Sequence, residues 1–206
     1  MKIISILGSP RRDGNSNTVA NRFLDTAEKL GAEVDRFELQ RLNFHDCLEC
    51  CACKMSSDEC VQKDDITELL KLVMNKTADI YLLAFPIWSG DAPGQVKSFF
   101  DRCYCFTGGG QVKDFREMAS RSRVVPGKKG VLIISQGAPE NEFVDVSEKY
   151  KTRLERMWRL ESVRVLRVCR VGAQNHGVVA PGLPKDVRPE QLERVEELAK
   201  EMMANK

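Results

Sequence analysis

Apolar and polar positions along this chain follow two periods in turn. Residues 3–7 form a short, β-branched apolar run that gives way to Gly8-Ser9-Pro10-Arg11, the pattern of a buried parallel strand ending in a turn. Asn17 or Thr18 is placed to cap the helix that follows. Its positions Val19, Phe23, Ala27 and Leu30 share one face before Gly31 stops it. Residues 33–39 predict a second strand, with imperfect alternation. Asp64 and Asp65 stand at the expected start of a helix striped with Ile66, Leu69, Leu70 and Val73, where acidic side chains suit the positive end of the helix dipole. Residues 80–85 predict a third strand, closed by Pro86, and Val96, Phe99, Phe100 and Cys103 mark the next helix. Residues 131–134 read as a fourth strand and residues 163–171 as a fifth. Between them Val146, Tyr150, Leu154, Met157 and Trp158 form a helical face, and Leu192, Val195, Ala199 and Met202 form a last one.

Strands alternating with helices imply right-handed crossovers and a five-stranded parallel sheet covered on both faces. The 206 residues fit one such domain. Residues 105–129, with Gly108-Gly109-Gly110, and residues 172–188 are too long for plain connectors and read as lids or subunit contacts. There is no internal repeat.

Composition narrows the class. Hydrophobic residues make up 42% and charged ones 30%, and no apolar run approaches the roughly 18–20 residues that span a bilayer. Residues 1–7 are too short an apolar stretch for a signal peptide, so a cytoplasmic protein is expected. A net charge of +2 gives no electrostatic ground for nucleic acid or an anionic membrane as partner.

Ligands of an open parallel sheet bind beyond the carboxyl ends of its strands. Residues 8–18 there combine hydroxyls, an amide, a cation and the N–H groups of a helix start, which together suit a phosphate monoester. The loop has neither the Gly-Lys-Ser/Thr of a Walker loop nor a three-glycine dinucleotide fingerprint. It resembles the phosphate loop of the NADPH-dependent FMN reductase family, a flavodoxin-like group that includes the iron-sulfur flavoproteins. Asp64-Asp65, Pro86-Ile87-Trp88 and Lys97-Ser98-Phe99-Phe100-Asp101-Arg102 extend the likeness in the same order.

The resemblance implies a flavodoxin-like three-layer α/β/α sandwich and FMN as cofactor. It assigns the FMN phosphate to Ser9, Arg11, Ser16, Asn17 and Thr18. Pro86, Ile87, Trp88, Ser89 and Gly90 offer an apolar shelf and backbone N–H groups for the ring, although the family usually has Tyr or Phe where Trp88 stands. Trp88 as a buried loop anchor is the competing reading. Ser135 and Gly137, after the fourth strand, are positioned for further contacts to the ring or ribityl chain. Asp101 and Arg102 are expected to fix the loop that follows them.

Cysteine is the compositional outlier, with eight in the chain and five of them within residues 47–60. Cys47, Cys50, Cys53 and Cys60 are separated by two, two and six residues, close enough to converge on one centre. The motif resembles that of iron-sulfur flavoproteins, which bind a [4Fe-4S] cluster near FMN. It departs from the ferredoxin run, whose fourth cysteine comes sooner and is followed by Pro. A cluster, a set of free thiols and a zinc site all stay open. Cys51, Cys103, Cys105 and Cys169 read as bystanders that pack as small hydrophobes, and His45 and His176 as ordinary polar residues.

The function expected from the resemblance is an FMN-dependent NAD(P)H oxidoreductase or electron-transfer flavoprotein. It would pass electrons from a nicotinamide nucleotide to an unidentified acceptor and work as a homodimer or homotetramer. Flavin supplies the redox chemistry, so no catalytic side chain is required. The alternatives are an FMN-, quinone- or azo-reductase without a cluster, a flavodoxin-type carrier without turnover, and a binding module that holds no flavin.

Overall fold

Side chains of β1 (Lys2–Leu7) point alternately to the two sides of a sheet, so the strand feeds two cores at once. On one side Ile4 and Ile6 meet Tyr81, Leu83 and Phe85 of β3 (Ile80–Pro86) and Leu132 and Ile134 of β4 (Lys128–Ser135). On the other, Ile3 and Leu7 meet Ile80, Leu82, Ala84, Val131 and Ile133. Strands buried on both faces read as the continuous apolar runs seen in the sequence.

The computed structural model describes residues 1–75, 77–109, 117, 120–171 and 187–204. Its strands are all parallel, in the order β2-β1-β3-β4-β5, with β2 at Glu33–Glu38 and β5 at Leu160–Val168. The first core lies under α3 (Thr67–Met74), α4 (Gly94–Arg102) and α5 (Val144–Met157), and the second under α1 (Asn15–Lys29) and α6 (Pro189–Ala204). A single turn, α2 (Ala52–Met55), stands within the cysteine segment. This is the expected three-layer sandwich. Among the described residues no helix is long and apolar enough to cross a membrane.

Several boundaries differ from the sequence reading, each for a physical reason. The first helix begins at Asn15 behind Gly14, so Asn17 and Thr18 lie inside its first turn and do not cap it. Leu30 follows the helix end and is half exposed, leaving the apolar stripe to finish at Ala27. Neither Asp64 nor Asp65 serves the dipole of α3, whose first turn carries Glu68, because both carboxylates are taken by tertiary partners. β2 is an edge strand without a fully buried residue, which accounts for its poor alternation. β5 starts three residues before the predicted 163 and ends at Val168, so Cys169 is buried just beyond the strand.

Under the first face Phe100 stacks on Trp158 with ring centres 5.7 Å apart, and Phe99 and Tyr81 meet Trp158 edge-on at 5.9 and 6.0 Å. That cluster fixes α4 against the sheet. Its amino-terminal end is fixed as well: a Cβ at Gly8 would lie 2.2 Å from Val96 Cγ2, so only glycine lets β1 end against this helix.

Candidate functional site

The strand order reverses between β1 and β3, and three loops leave the carboxyl ends of β1, β3 and β4 around that point. In the first, Ser9 Oγ accepts the Arg11 N–H at 3.2 Å, and Gly14 N–H donates to the Arg11 carbonyl at 3.1 Å. Asn17 Nδ2 donates to the carbonyls of Arg11 (3.1 Å) and Arg12 (3.4 Å), so this amide holds the loop in shape. Thr18 is exposed and its hydroxyl donates to the Asp13 carbonyl. Ser16 is fully buried, and its hydroxyl has no hydrogen-bond partner among the described residues; neither has the buried Oδ1 of Asn17. Burying a hydroxyl unpaired costs about 1–3 kcal/mol, and the N–H groups of a helix's first turn have no intrahelical acceptor either. An anion beside Ser16 would answer both needs. Arg11, half-buried in the same loop, makes no ion pair among the described residues.

The second loop is a tight turn. Ile87 N–H donates to the Ser135 carbonyl at 2.8 Å, while Trp88 and Asp91 exchange backbone hydrogen bonds of 2.7 and 3.0 Å. Ser89 (φ 47°) and Gly90 (φ 82°) are left-handed at its tip. The Ile87 and Trp88 N–H groups are thus already used, which leaves those of Ser89 and Gly90 to meet a ligand. Trp88 is 48% exposed, so the reading of a buried anchor is wrong; its ring stands at the surface of the turn. Pro86 closes β3 opposite Ser135.

Sequence reasoning missed what supports this turn. Lys149 of α5 pairs with Asp91 at 2.5 Å, and Phe143, in the left-handed region, brings its ring to 3.7 Å from where a Gly90 Cβ would stand. Partial burial would raise the Asp91 pKa, but Lys149 and the Ala92 N–H outweigh it and hold the carboxyl below its ordinary value.

In the third loop Ser135 is buried at the end of β4, while Gly137 is exposed with room for a side chain. The residue shaping this loop is Gln136. It is buried, and its Nε2 donates to the carbonyls of Ala138, Pro139 and Glu142 while its Oε1 accepts from Arg167.

The cysteine segment is a separate site. Cys47, Cys50, Cys53 and Cys60 line one cavity of ≈ 10 Å³, and all are free thiols. Cys51 and Cys105, read as bystanders, line it too. Cys103 and Cys169 do stay apart, both buried. Among the described residues no three or more His, Cys, Asp and Glu side chains are arranged to hold a single metal ion. Burial pushes the Cys53 thiol up against the pull of Lys54, and pushes Cys105 up to about 12.

The segment's ends are held by Arg102, whose side chain is fully buried. It donates to the His45 carbonyl at 2.9 Å, to the Gln62 carbonyl at 3.3 Å, and in a fork to both oxygens of Asp64 at 2.5 and 3.3 Å. Burial would lower its pKa; Asp64 and the Cys60 sulfur outweigh that and raise it. Arg102 therefore fixes the cysteine segment that precedes it in sequence, not the following loop as expected. Asp101 serves its own helix, pairing with Lys97 at 2.6 Å. Of residues 105–129, the described part folds over the thiols. Arg123 donates to the carbonyls of Cys53 and Cys105, and Lys54 Nζ to those of Tyr104 and Thr107. The Gly110 end of the glycine run, residues 111–116 and 118–119, and most of 172–188, His176 included, lie outside the described residues.

The model of the NADPH-dependent FMN reductase family matches residues 1–143. The chain belongs to that family. An iron-sulfur flavoprotein from Archaeoglobus fulgidus is 36% identical over 102 residues, which is 50% of this chain and 45% of that one. The chain thus spans under half the length of this relative. Solved structures of similar fold include an NAD(P)H:quinone oxidoreductase from Methanothermobacter marburgensis (TM-score 0.68, 20% identity, 98% of this chain and 96% of that one) and flavodoxin 1 from Bacillus cereus (0.57, 15%, 100% and 99%). Both likenesses are of fold alone, and they make this member of the family flavodoxin-like.

Removing the carboxylate that answers Arg102 leaves a buried guanidinium without its counter-ion. Asp64→Asn is expected to cost about 3–5 kcal/mol in urea unfolding, against under ~1 kcal/mol for the exposed pair partner Asp101→Asn. The depressed Asp91 value has a signed consequence. Its ion pair favours the fold above the unfolded carboxyl range, and that favour is lost as pH falls through the lower folded value. Tryptophan fluorescence should therefore show a step below 3.8, the ordinary aspartate value, that is missing from Asp91→Asn.

Proposed function

We propose that this protein is an FMN-dependent NAD(P)H oxidoreductase whose flavin lies across the ends of β1, β3 and β4. The observation that carries this reading is the buried, unpartnered Ser16 hydroxyl at the first turn of α1, in the loop that resembles the family's phosphate loop. Bound FMN would supply hydride acceptance from a nicotinamide and release of electrons singly or in pairs.

The residues divide the work of holding it. Ser16 and the first-turn N–H groups bind the phosphate, Arg11 adds the charge, and Ser9 and Asn17 hold the loop that presents them. Thr18, with its hydroxyl turned to Asp13, is an outer support. Ile87 and Trp88 give the ring an apolar flank, and the Ser89 and Gly90 N–H groups meet its polar edge. Lys149 and Asp91 keep that turn in place, while Ser135 and Gly137 border the crevice from β4. No side chain needs to move a proton. The reading also carries a cytoplasmic homodimer or homotetramer and a second acceptor whose identity stays open.

The thiols support a second cofactor at their own site. A donor set of sulfur alone, with Cys47, Cys50, Cys53 and Cys60 on one cavity, fits iron-sulfur ligation by its chemistry, and the Archaeoglobus relative is an iron-sulfur flavoprotein. These cysteines would hold a [4Fe-4S] cluster, with Arg102 closing the segment around it. Without the cluster the same fold serves as an FMN-, quinone- or azo-reductase.

Apoprotein titrated with FMN should bind one equivalent. Ser16→Ala should weaken binding roughly tenfold and Arg11→Gln by about 10–100-fold. The loaded protein's flavin absorbance should bleach with NADPH or NADH in stopped flow; a flavin that binds and stays oxidised would make the protein a carrier, and a colourless preparation that ignores FMN would make it neither. Anaerobically purified protein is expected to carry iron and acid-labile sulfide in equal amounts, and Cys53→Ala to lose both while keeping FMN.

A further inference from the structure

Between the cysteine segment, α4 and α5 the surface folds into a cavity of ≈ 600 Å³, and none of its lining residues belongs to the three strand-end loops. That volume suits a small organic ligand. The floor is apolar: Phe100, buried and stacked on Trp158, with Tyr104 and Met157 beside it. One wall is α5, where Arg153 and Arg156 stand one turn apart. Cys47 and Glu49 form the other.

The charges of this cavity are not balanced from within. Asp101 reaches it but is engaged by Lys97 at 2.6 Å. Arg153 sits over the Phe100 ring at 5.6 Å and the Tyr150 ring at 5.2 Å, a position that leaves its N–H edges for another group. Neither Arg153 nor Arg156 has a carboxylate partner among the described residues. Cations three apart on a helix repel one another, and an anion between them turns that repulsion into two attractions. Glu49, also without an ion pair among the described residues, disfavours a second negative group at the opposite wall.

We infer that this cavity is a binding site for a planar aromatic molecule carrying one carboxylate or sulfonate. The acid group is forked by Arg153 and Arg156, and the ring lies along Tyr104 and Met157 within the wall formed by Cys47. The claim rests on the cavity and its charges, and it stands or falls apart from the flavin reading.

Isothermal titration with 2-naphthoate tests it, using the FMN-saturated protein so that the flavin crevice is filled. The expected result is saturable binding of one equivalent, weakened roughly tenfold or more in the Arg153→Gln/Arg156→Gln double variant and for the uncharged 2-naphthamide. Lys151→Gln, on the same helix and outside the cavity, should leave it unchanged. FMN titration of the double variant checks that the fold is intact. Three results overturn the inference: no binding, naphthoate affinity indifferent to the two arginines, or a double variant that changes the sedimentation of the protein, which would make this face a contact between copies.

Discussion

A guanidinium with no surface open to water has to find its partners within the protein, and in this fold the partners of its two terminal nitrogens determine where two loops and two helices stand, while its Nε has none among the described residues. Arg102 spends its donors on Asp64 and on the carbonyls of His45 and Gln62, which border the cysteine segment on its two sides. A buried ion pair contributes little net stability compared with a hydrocarbon replacement, but it is exacting about geometry, because each partner left alone is costly. The segment between His45 and Gln62 has little secondary structure of its own beyond the turn of α2. Its two ends are held from the end of α4, and its middle by Arg123 and by Lys54.

The other site is shaped by different forces. Three loops at the strand ends are held mostly through backbone hydrogen bonds, helped by the Asn17 amide in the first, the Asp91–Lys149 pair in the second and the Gln136 amide in the third. The side chains of Ser16 and Arg11 are left over from this internal bonding. Polar groups left uncommitted at a helix start are the feature on which the proposed phosphate site rests.

The sheet and its two cores were legible because they follow from local periodicity and from alternation of strand and helix, as in residues 80–85 or the Phe99-Phe100 stripe. What escaped was tertiary. Asp64 and Asp65 look like dipole partners until Arg102 and the Asn43 N–H claim them. Trp88 carries no sign in sequence of facing outward, and Gln136 and Phe143 look like ordinary loop residues until their partners come from other elements. Cys105 lies far along the chain from the motif whose cavity it lines, so spacing could not find it.

The helix α4 touches both candidate sites, one at each end: Val96 against Gly8 below the β1 loop, and Arg102 under the thiols. Its nine residues form a rod about 13 Å long, clamped at both ends and along its length by the Trp158 cluster. A displacement at one end of this rod is therefore carried to the other, because the helix fixes how far apart the two ends stand. Loop motions at the surface would leave that separation almost untouched.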